Sequence, residues 1–395
     1  MLAHQIPAVQ KALAREGLDG WFFSCFQSSD PISHDLLGLA EGQLLSRRCY
    51  YLVPREGEAR RLVHALEPAM LDGLPGSQRE YLTWQSHDAE LARLVTGCER
   101  VAAQYSPNNA LPAISRLDVG TGERLRALGL ELVSSAELVQ EFAAVWSREQ
   151  LEGHRRACAH LHEIAHAAFA RVGEALSTGR EIDEHAVQRF ILEQFERRGL
   201  WTESHPIVGV NANSADPHYQ PGPERTAAIR RGDFLLVDLW AKEKRSGSVY
   251  ADITWCGVCA ASPEDRHAEV FGVAVAARDA GLGLIRSRYP DTPVAGYEVD
   301  DATRRVIDEA GYGDRFIHRT GHSIGIQDHG HGANLDNLET HDTRRLAPMT
   351  GFSIEPGIYL TGDFGVRTEI DVVLTPDGVE VTGGEPQREL IRVLA

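Results

Sequence analysis

The chain has 395 residues, 43% apolar and 25% charged, with a formal net charge of −17. This length suggests two domains with room for a large core. The acid excess disfavours a general nucleic-acid role, because phosphate binding relies on Lys and Arg. No apolar run reaches the ~18 residues of a membrane span, so no membrane association is expected.

The N-terminus, Met1-Leu-Ala-His-Gln-Ile-Pro, lacks a basic segment followed by an apolar stretch. No signal peptide is expected, and the chain reads as cytoplasmic. Residues 4–16 read as a short helix. Strands are predicted at 18–25, 47–53, 61–65 and 99–104, with helices near 89–96 and 121–128. This alternation predicts a small α/β domain over residues 1–145.

A second domain, 146–395, opens at Ser147-Arg-Glu-Gln150, which has the order of a capping box. Helical periodicity runs from Glu149 to Leu176, and a second helix from about Asp183 to Arg198. Strands are expected at about 205–210, 233–241, 249–259, 352–360 and 366–374. Two helices fall between them: one capped at Ser262-Pro263, the other over about 298–310, stopping at Gly311. The class is α+β.

The six cysteines (Cys25, Cys49, Cys98, Cys158, Cys256, Cys259) are too few and scattered for a disulfide scaffold. Cys256 and Cys259 have C-x-x-C spacing. In a strand, residues three apart point to opposite faces, which favours buried thiols over a zinc or redox pair.

Five residues of the second domain form a pattern. Asp238, Asp252, Glu355 and Glu369 lie in apolar, strand-like runs, and His322 lies in Thr320-Gly-His-Ser-Ile-Gly. A lone buried carboxylate costs several kcal/mol or takes a proton. Four close together repel one another, and two divalent cations resolve the conflict. The polar segment between Asp238 and Asp252 reads as a hairpin tip, as does Thr361-Gly-Asp-Phe-Gly365 between Glu355 and Glu369. Oxygen-rich sites with one imidazole suit Mn²⁺ or Co²⁺, and also Zn²⁺. By strand alternation Trp240 shares a face with Asp238, Thr254 with Asp252, and Arg367 with Glu369. Thr254 is placed to hydrogen-bond a ligand carboxylate, Trp240 to wall a pocket, and Arg367 to meet a substrate carboxylate with its planar fork.

On these motifs residues 150–395 resemble the pita-bread metallopeptidases, and the preceding α/β domain resembles the creatinase-like one of the prolidase and aminopeptidase P branch. The resemblance implies that Asp238 chelates one metal, that Asp252 and Glu369 bridge two, and that His322 and Glu355 hold the second. It makes Glu355 the general base, His218 and His329 substrate-side histidines, and Arg367 the carboxylate reader of prolidase-like members. It also implies a homodimer. The chain departs from the pattern in a longer Asp238–Asp252 hairpin, in Trp240 and Trp255, and in Gly330-His331 after His329.

Gly321-His-Ser-Ile-Gly325 also matches the serine-hydrolase elbow, but the glycine-rich segment after it is unsuited to the helix that elbow requires, so Ser323 is not read as a nucleophile. His318 and His331 are read as structural. The expected activity is metal-dependent hydrolysis of the bond preceding proline in short peptides, foremost Xaa-Pro dipeptides. The alternatives are an aminopeptidase P acting on Xaa-Pro-Yaa peptides, a metal-free creatinase- or ectoine-type C–N hydrolase, and an inactive binding protein of the same fold.

Overall fold

The computed structural model describes residues 4–39 and 45–395. Contacts divide the chain into two compact units, Met1–Ala143 and Ala144–Ala395.

In the first unit the strands are β1 (Gly20–Cys25), β2 (Cys49–Pro54), β3 (Arg60–His64), β4 (Ser77–Tyr81), β5 (Arg100–Ala103) and β6 (Glu131–Ser134). They form one mixed sheet in the order β4-β3-β2-β1-β5-β6. Alternation along β1 and β2 sends Trp21, Phe23, Tyr51 and Val53 into one core, and Phe22, Tyr50 and Leu52 into another on the opposite face. Helices α1 (Ile6–Glu16), α2 (Pro31–Leu37), α3 (Trp84–Leu94), α4 (Val119–Ala127) and α5 (Ala136–Phe142) complete the unit.

Sequence reading passes over β4, β6, α2 and α5. The strands β4 and β6 are short sheet edges; β4 is mostly polar, and β6 has only Leu132 and Val133 as apolar residues, too short a run to signal a strand. Helix α2 does carry signals: Asp30 caps the backbone N–H of Ser33, Pro31 opens the helix, and Gly38 closes it in the left-handed region.

The second unit begins with α6 (Arg148–Thr178), closed by the capping box that Ser147 and Gln150 form reciprocally. Asp183 caps α7 (Glu184–Arg197). Strands β7 (Leu200–Trp201), β8 (Ile207–Val210), β9 (Phe234–Glu243) and β10 (Ala251–Val258) follow, then α8 (Asp265–Arg288) and α9 (Gly296–Glu309). The expected cap at Ser262 is displaced: Glu264 occupies the N-cap, and Ser262-Pro263 lies outside the helix.

The remaining strands are β11 (Ser323–Ile324), β12 (Gly351–Ile354), β13 (Gly357–Leu360), β14 (Phe364–Arg367), β15 (Ile370–Thr375), β16 (Gly378–Val381) and β17 (Ile391–Arg392). Two of the expected strands are each broken in two. β13 pairs only with β14, whereas β12 and β15 pair with each other in a second sheet, β11-β12-β15-β16. The breaks fall at Glu355-Pro356 and Thr368-Glu369. Pro356 has no N–H to continue a ladder, which ends β12 there.

One face of the β9–β10 pair is apolar. Val237, Leu239, Ala251, Ile253 and Trp255 pack against Leu161, Ile164, Ala165 and Ala168 of α6. Those α6 residues recur at helical spacing, so the helix is held by burial of one stripe. Ile164→Ala should lower the unfolding free energy by ~2–5 kcal/mol, the cost of a lost side chain plus a cavity. A urea titration followed by tryptophan fluorescence reads the shift; an unchanged midpoint excludes this packing as a determinant of stability.

Candidate metal centre

The other face of the β9–β10 pair carries acids. Antiparallel register sets Asp238 opposite Thr254 and Asp252 opposite Trp240, so all four share that face. Asp238, Asp252 and Thr254 are buried.

Glu355 and Glu369 enter from the two strand breaks. The backbone N–H of Glu355 donates to the carbonyl of Thr320 at 2.7 Å, and that of Glu369 to the carbonyl of Thr254 at 3.4 Å. The breaks thus free both residues from one ladder and fix them against another segment. Thr254 Oγ1 donates to Glu369 Oε2 at 2.7 Å, and the Ser353 hydroxyl donates to Glu355 Oε1 at 3.1 Å.

His322 follows Gly321, where an added Cβ would be driven into the carbonyl oxygen of Ser353. The imidazole Nδ1 donates to the Ser323 carbonyl at 3.1 Å, which leaves a lone pair on Nε2. That lone pair faces Glu355 Oε1 at 3.5 Å and Asp252 Oδ2 at 3.6 Å. Acceptors turned toward each other at this range repel unless a cation lies between them. Ligands of a tetrahedral ion at ~2.1 Å stand about 3.4 Å apart, so the spacing fits a shared metal.

One ligand atom from each of Asp252, His322 and Glu369 falls within 4.8 Å of the others. Oδ1 of Asp252 and Oε1 of Glu369 are buried without a hydrogen-bond partner. The electrostatics agree. Burial and the neighbouring Glu369 push Asp252 well above the ordinary carboxylate range, and burial and Glu355 do the same to Glu369. Burial also raises Asp238, against the opposing effect of Arg367. Glu355 is shifted the other way, below the usual value: burial is outweighed by the nearby bases His322, His318, Arg367 and Arg319, of which the two guanidiniums keep their charge when the imidazoles are neutral.

These five residues line one cavity of about 440 Å³, together with His218, His329, Trp240 and Arg367. Thr254 lies beneath them. His218 is exposed, on a loop tied down at its neighbour Tyr219, whose hydroxyl donates to Glu184 Oε2 at 2.6 Å. The Glu184 carboxylate, fully buried, also accepts from the backbone of Val210 and Ala227 and from Asn213. The ring of His329 lies over that of His322, with centroids 4.1 Å apart. Trp240 donates from its indole to Ser204 at 3.2 Å.

Arg367 is held by the protein on three sides. Nη2 donates to Asp238, Nη1 to the Tyr359 hydroxyl at 3.0 Å, and Nε to Thr254 at 3.1 Å. Two of its five N–H groups remain. Ser323 is buried on the two-residue β11, its Oγ accepting the N–H of Gly332, and no helix follows it. Trp255 packs on the other face, against His162 and His166. The six cysteines are all free.

Several residues at the site escape sequence reading. His318, read as structural, lines the cavity, as do Arg319 and Asp328. Asp371 Oδ2 accepts the backbone N–H of Asp252 at 2.8 Å, and Glu184 anchors the His218 loop. Glu184 and Asp371 sit at single positions in ordinary-looking elements; only tertiary contact marks them.

A model of metallopeptidase family M24 matches residues 153–376. The probable dipeptidase PepE of Mycobacterium tuberculosis is 28% identical over 283 residues, covering 72% of this chain and 68% of that protein. The Xaa-Pro dipeptidase of Lactobacillus delbrueckii subsp. lactis is 32% identical over 218 residues, covering 55% of this chain and 54% of its own. Among solved structures, dipeptidase PepE from Mycobacterium ulcerans superposes with a TM-score of 0.75 at 23% identity, covering 99% of this chain and 97% of that one. This last likeness establishes the fold, that of the pita-bread enzymes.

Gly321→Ala should displace His322 and lower affinity for Mn²⁺ by roughly 10–100-fold, the size of effect seen when ligand support is lost. Calorimetric titration of metal-free protein measures it; unchanged affinity would mean that His322 needs no close approach of Gly321 to Ser353.

Proposed function

We propose, for a chain that belongs to metallopeptidase family M24, that it hydrolyses the peptide bond preceding proline in Xaa-Pro dipeptides. Asp238, Asp252, His322, Glu355 and Glu369 would hold two divalent cations, Mn²⁺ or Co²⁺ before Zn²⁺. The observation that carries this reading is the enclosure of all five in one cavity with orphaned oxygens on Asp252 and Glu369. When bound, the cations neutralise the carboxylates, activate water and polarise the scissile carbonyl.

The chain's own residues divide the remaining work. Glu355 takes the proton of the attacking water: its carboxylate lines the cavity, and the Ser353 hydroxyl donates to Oε1 and orients it. His218 and His329 stand on the open side of the cavity, where they can donate to the developing oxyanion and to the leaving amide. Trp240 walls the pocket. Arg367 orients Asp238 and offers its two remaining N–H groups to the terminal carboxylate of the dipeptide. The proposal includes residues 146–395 as the catalytic domain, residues 1–145 as an accessory α/β domain, a homodimer and a cytoplasmic setting. The free cysteines are consistent with that setting.

Two measurements test it. EDTA should abolish cleavage of Ala-Pro, and added Mn²⁺ or Co²⁺ should restore it; full activity in a preparation shown to be metal-free would sink the metal reading. Ala-Pro should be cleaved ~10–100-fold more efficiently than Ala-Pro-Ala, because one charge-assisted hydrogen bond is worth ~1.5–3 kcal/mol. Equal or better kcat/KM on the tripeptide would make aminopeptidase P the correct description.

A further inference from the structure

Asp328 stands apart from the other carboxylates of the cavity. Asp238, Asp252, Glu355 and Glu369 have a task in the proposed centre, and Glu339 is exposed. The Asp328 side chain is only 26% exposed, and it opens onto the same cavity. Its Oδ1 is enclosed and has no hydrogen-bond partner. Its nearest ion-pairing neighbour is Nε2 of His329, at 3.9 Å from Oδ2, beyond hydrogen-bonding range. Arg319, on the same cavity wall, acts on it only through space: Nη2 of that residue donates instead to Nδ1 of His329 at 3.1 Å.

A carboxylate so placed costs several kcal/mol where an apolar residue would cost none. It faces the space a substrate enters, and it lies beside two histidines rather than beneath the acids. What it lacks is a hydrogen-bonded charged donor from the protein, although one of its oxygens lies within 4.8 Å of ring nitrogens of His322 and His329, close enough for a metal to compete for it.

We propose that Asp328 receives a cationic nitrogen of the substrate's first residue, which makes it a specificity-determining residue. The nitrogen is either a side-chain ammonium or guanidinium, as in lysine or arginine, or the α-ammonium. The inference rests on the proposed dipeptidase reading for its location, but its test does not require cleavage.

Affinities of the metal-loaded enzyme for three small probes separate the sources: lysinamide, norleucinamide and hexanamide. Lysinamide and norleucinamide differ in the side-chain ammonium; norleucinamide and hexanamide differ in the α-amine. A charge-assisted bond should give a step of roughly tenfold or more at one of these two comparisons. In Asp328→Asn that step should collapse, while Asp328→Glu, which keeps the charge, should retain part of it. Collapse at the first comparison assigns the side chain, and collapse at the second the α-ammonium. In the side-chain case the kcat/KM of Lys-Pro over that of norleucyl-proline should fall in parallel.

The inference is overturned if both affinity steps are the same in wild type and Asp328→Asn. It is also overturned if Asp328→Asn loses a metal ion, measured by elemental analysis, since Asp328 would then be a ligand. Failure of the wild type to cleave any Xaa-Pro dipeptide would count against the proposed function and leave the probe affinities to decide the role of Asp328.

Discussion

The second unit is organised by a charge problem. Asp238, Asp252 and Glu369 are buried, Glu355 nearly so, and Asp371 is buried immediately behind Asp252. One guanidinium, that of Arg367, touches one of the four facing carboxylates. Each uncompensated buried carboxylate costs several kcal/mol, whereas a domain's whole stability is about 5–15 kcal/mol. Three or four such groups cannot all stay ionised without added positive charge, so either they take protons or cations enter. The raised carboxyls of Asp252 and Glu369 describe the first state. Nε2 of His322, with its lone pair aimed at two acids, describes a space shaped for the second.

That problem accounts for features that otherwise look incidental. A regular antiparallel pair, like β9 and β10, can deliver two acids to one face while its other face seals against α6. A second uninterrupted hairpin would keep Glu355 and Glu369 in register with their own ladder. Breaking it at Pro356 and Thr368 lets β13–β14 turn away as a separate ribbon and lets Glu369 pair with the backbone of Thr254. The loss of two strands' continuity is exchanged for a common centre.

Much of this was legible in the sequence, for reasons that also explain what was not. Alternation and hairpin tips are local properties, so the paired acids of β9 and β10 and the facing Thr254 and Trp240 follow from spacing. So do the capping box at Ser147 and the start of a helix near Asp183. The breaks at Glu355 and Thr368 depend on which strand each half joins, which is a tertiary fact, although Pro356 was a signal for one of them. Asp328 hides because a single acid in a glycine-rich loop normally means solvent. Glu184 and Asp371 hide because nothing in a helix start or an apolar strand announces a hub of donors.

The hydrogen bonds behind the centre run in one direction. Burial pushes the imidazole of His318 down to about 4, so it is neutral. Its Nδ1 lies 2.7 Å from the carbonyl of Arg319, an acceptor only, so the proton sits on Nδ1 and Nε2 must accept. The partner of Nε2 is the Tyr359 hydroxyl at 2.8 Å, which therefore donates its only proton there and can only accept from Arg367 Nη1. Arg367 in turn donates to Asp238. No member can reverse without leaving two acceptors or two donors facing each other inside the protein, at a cost of ~1–3 kcal/mol. The orientation of Asp238 is thus tied to a carbonyl four hydrogen bonds away. A lysine in place of Arg367 would lack the fork that serves Tyr359, Thr254 and Asp238 together.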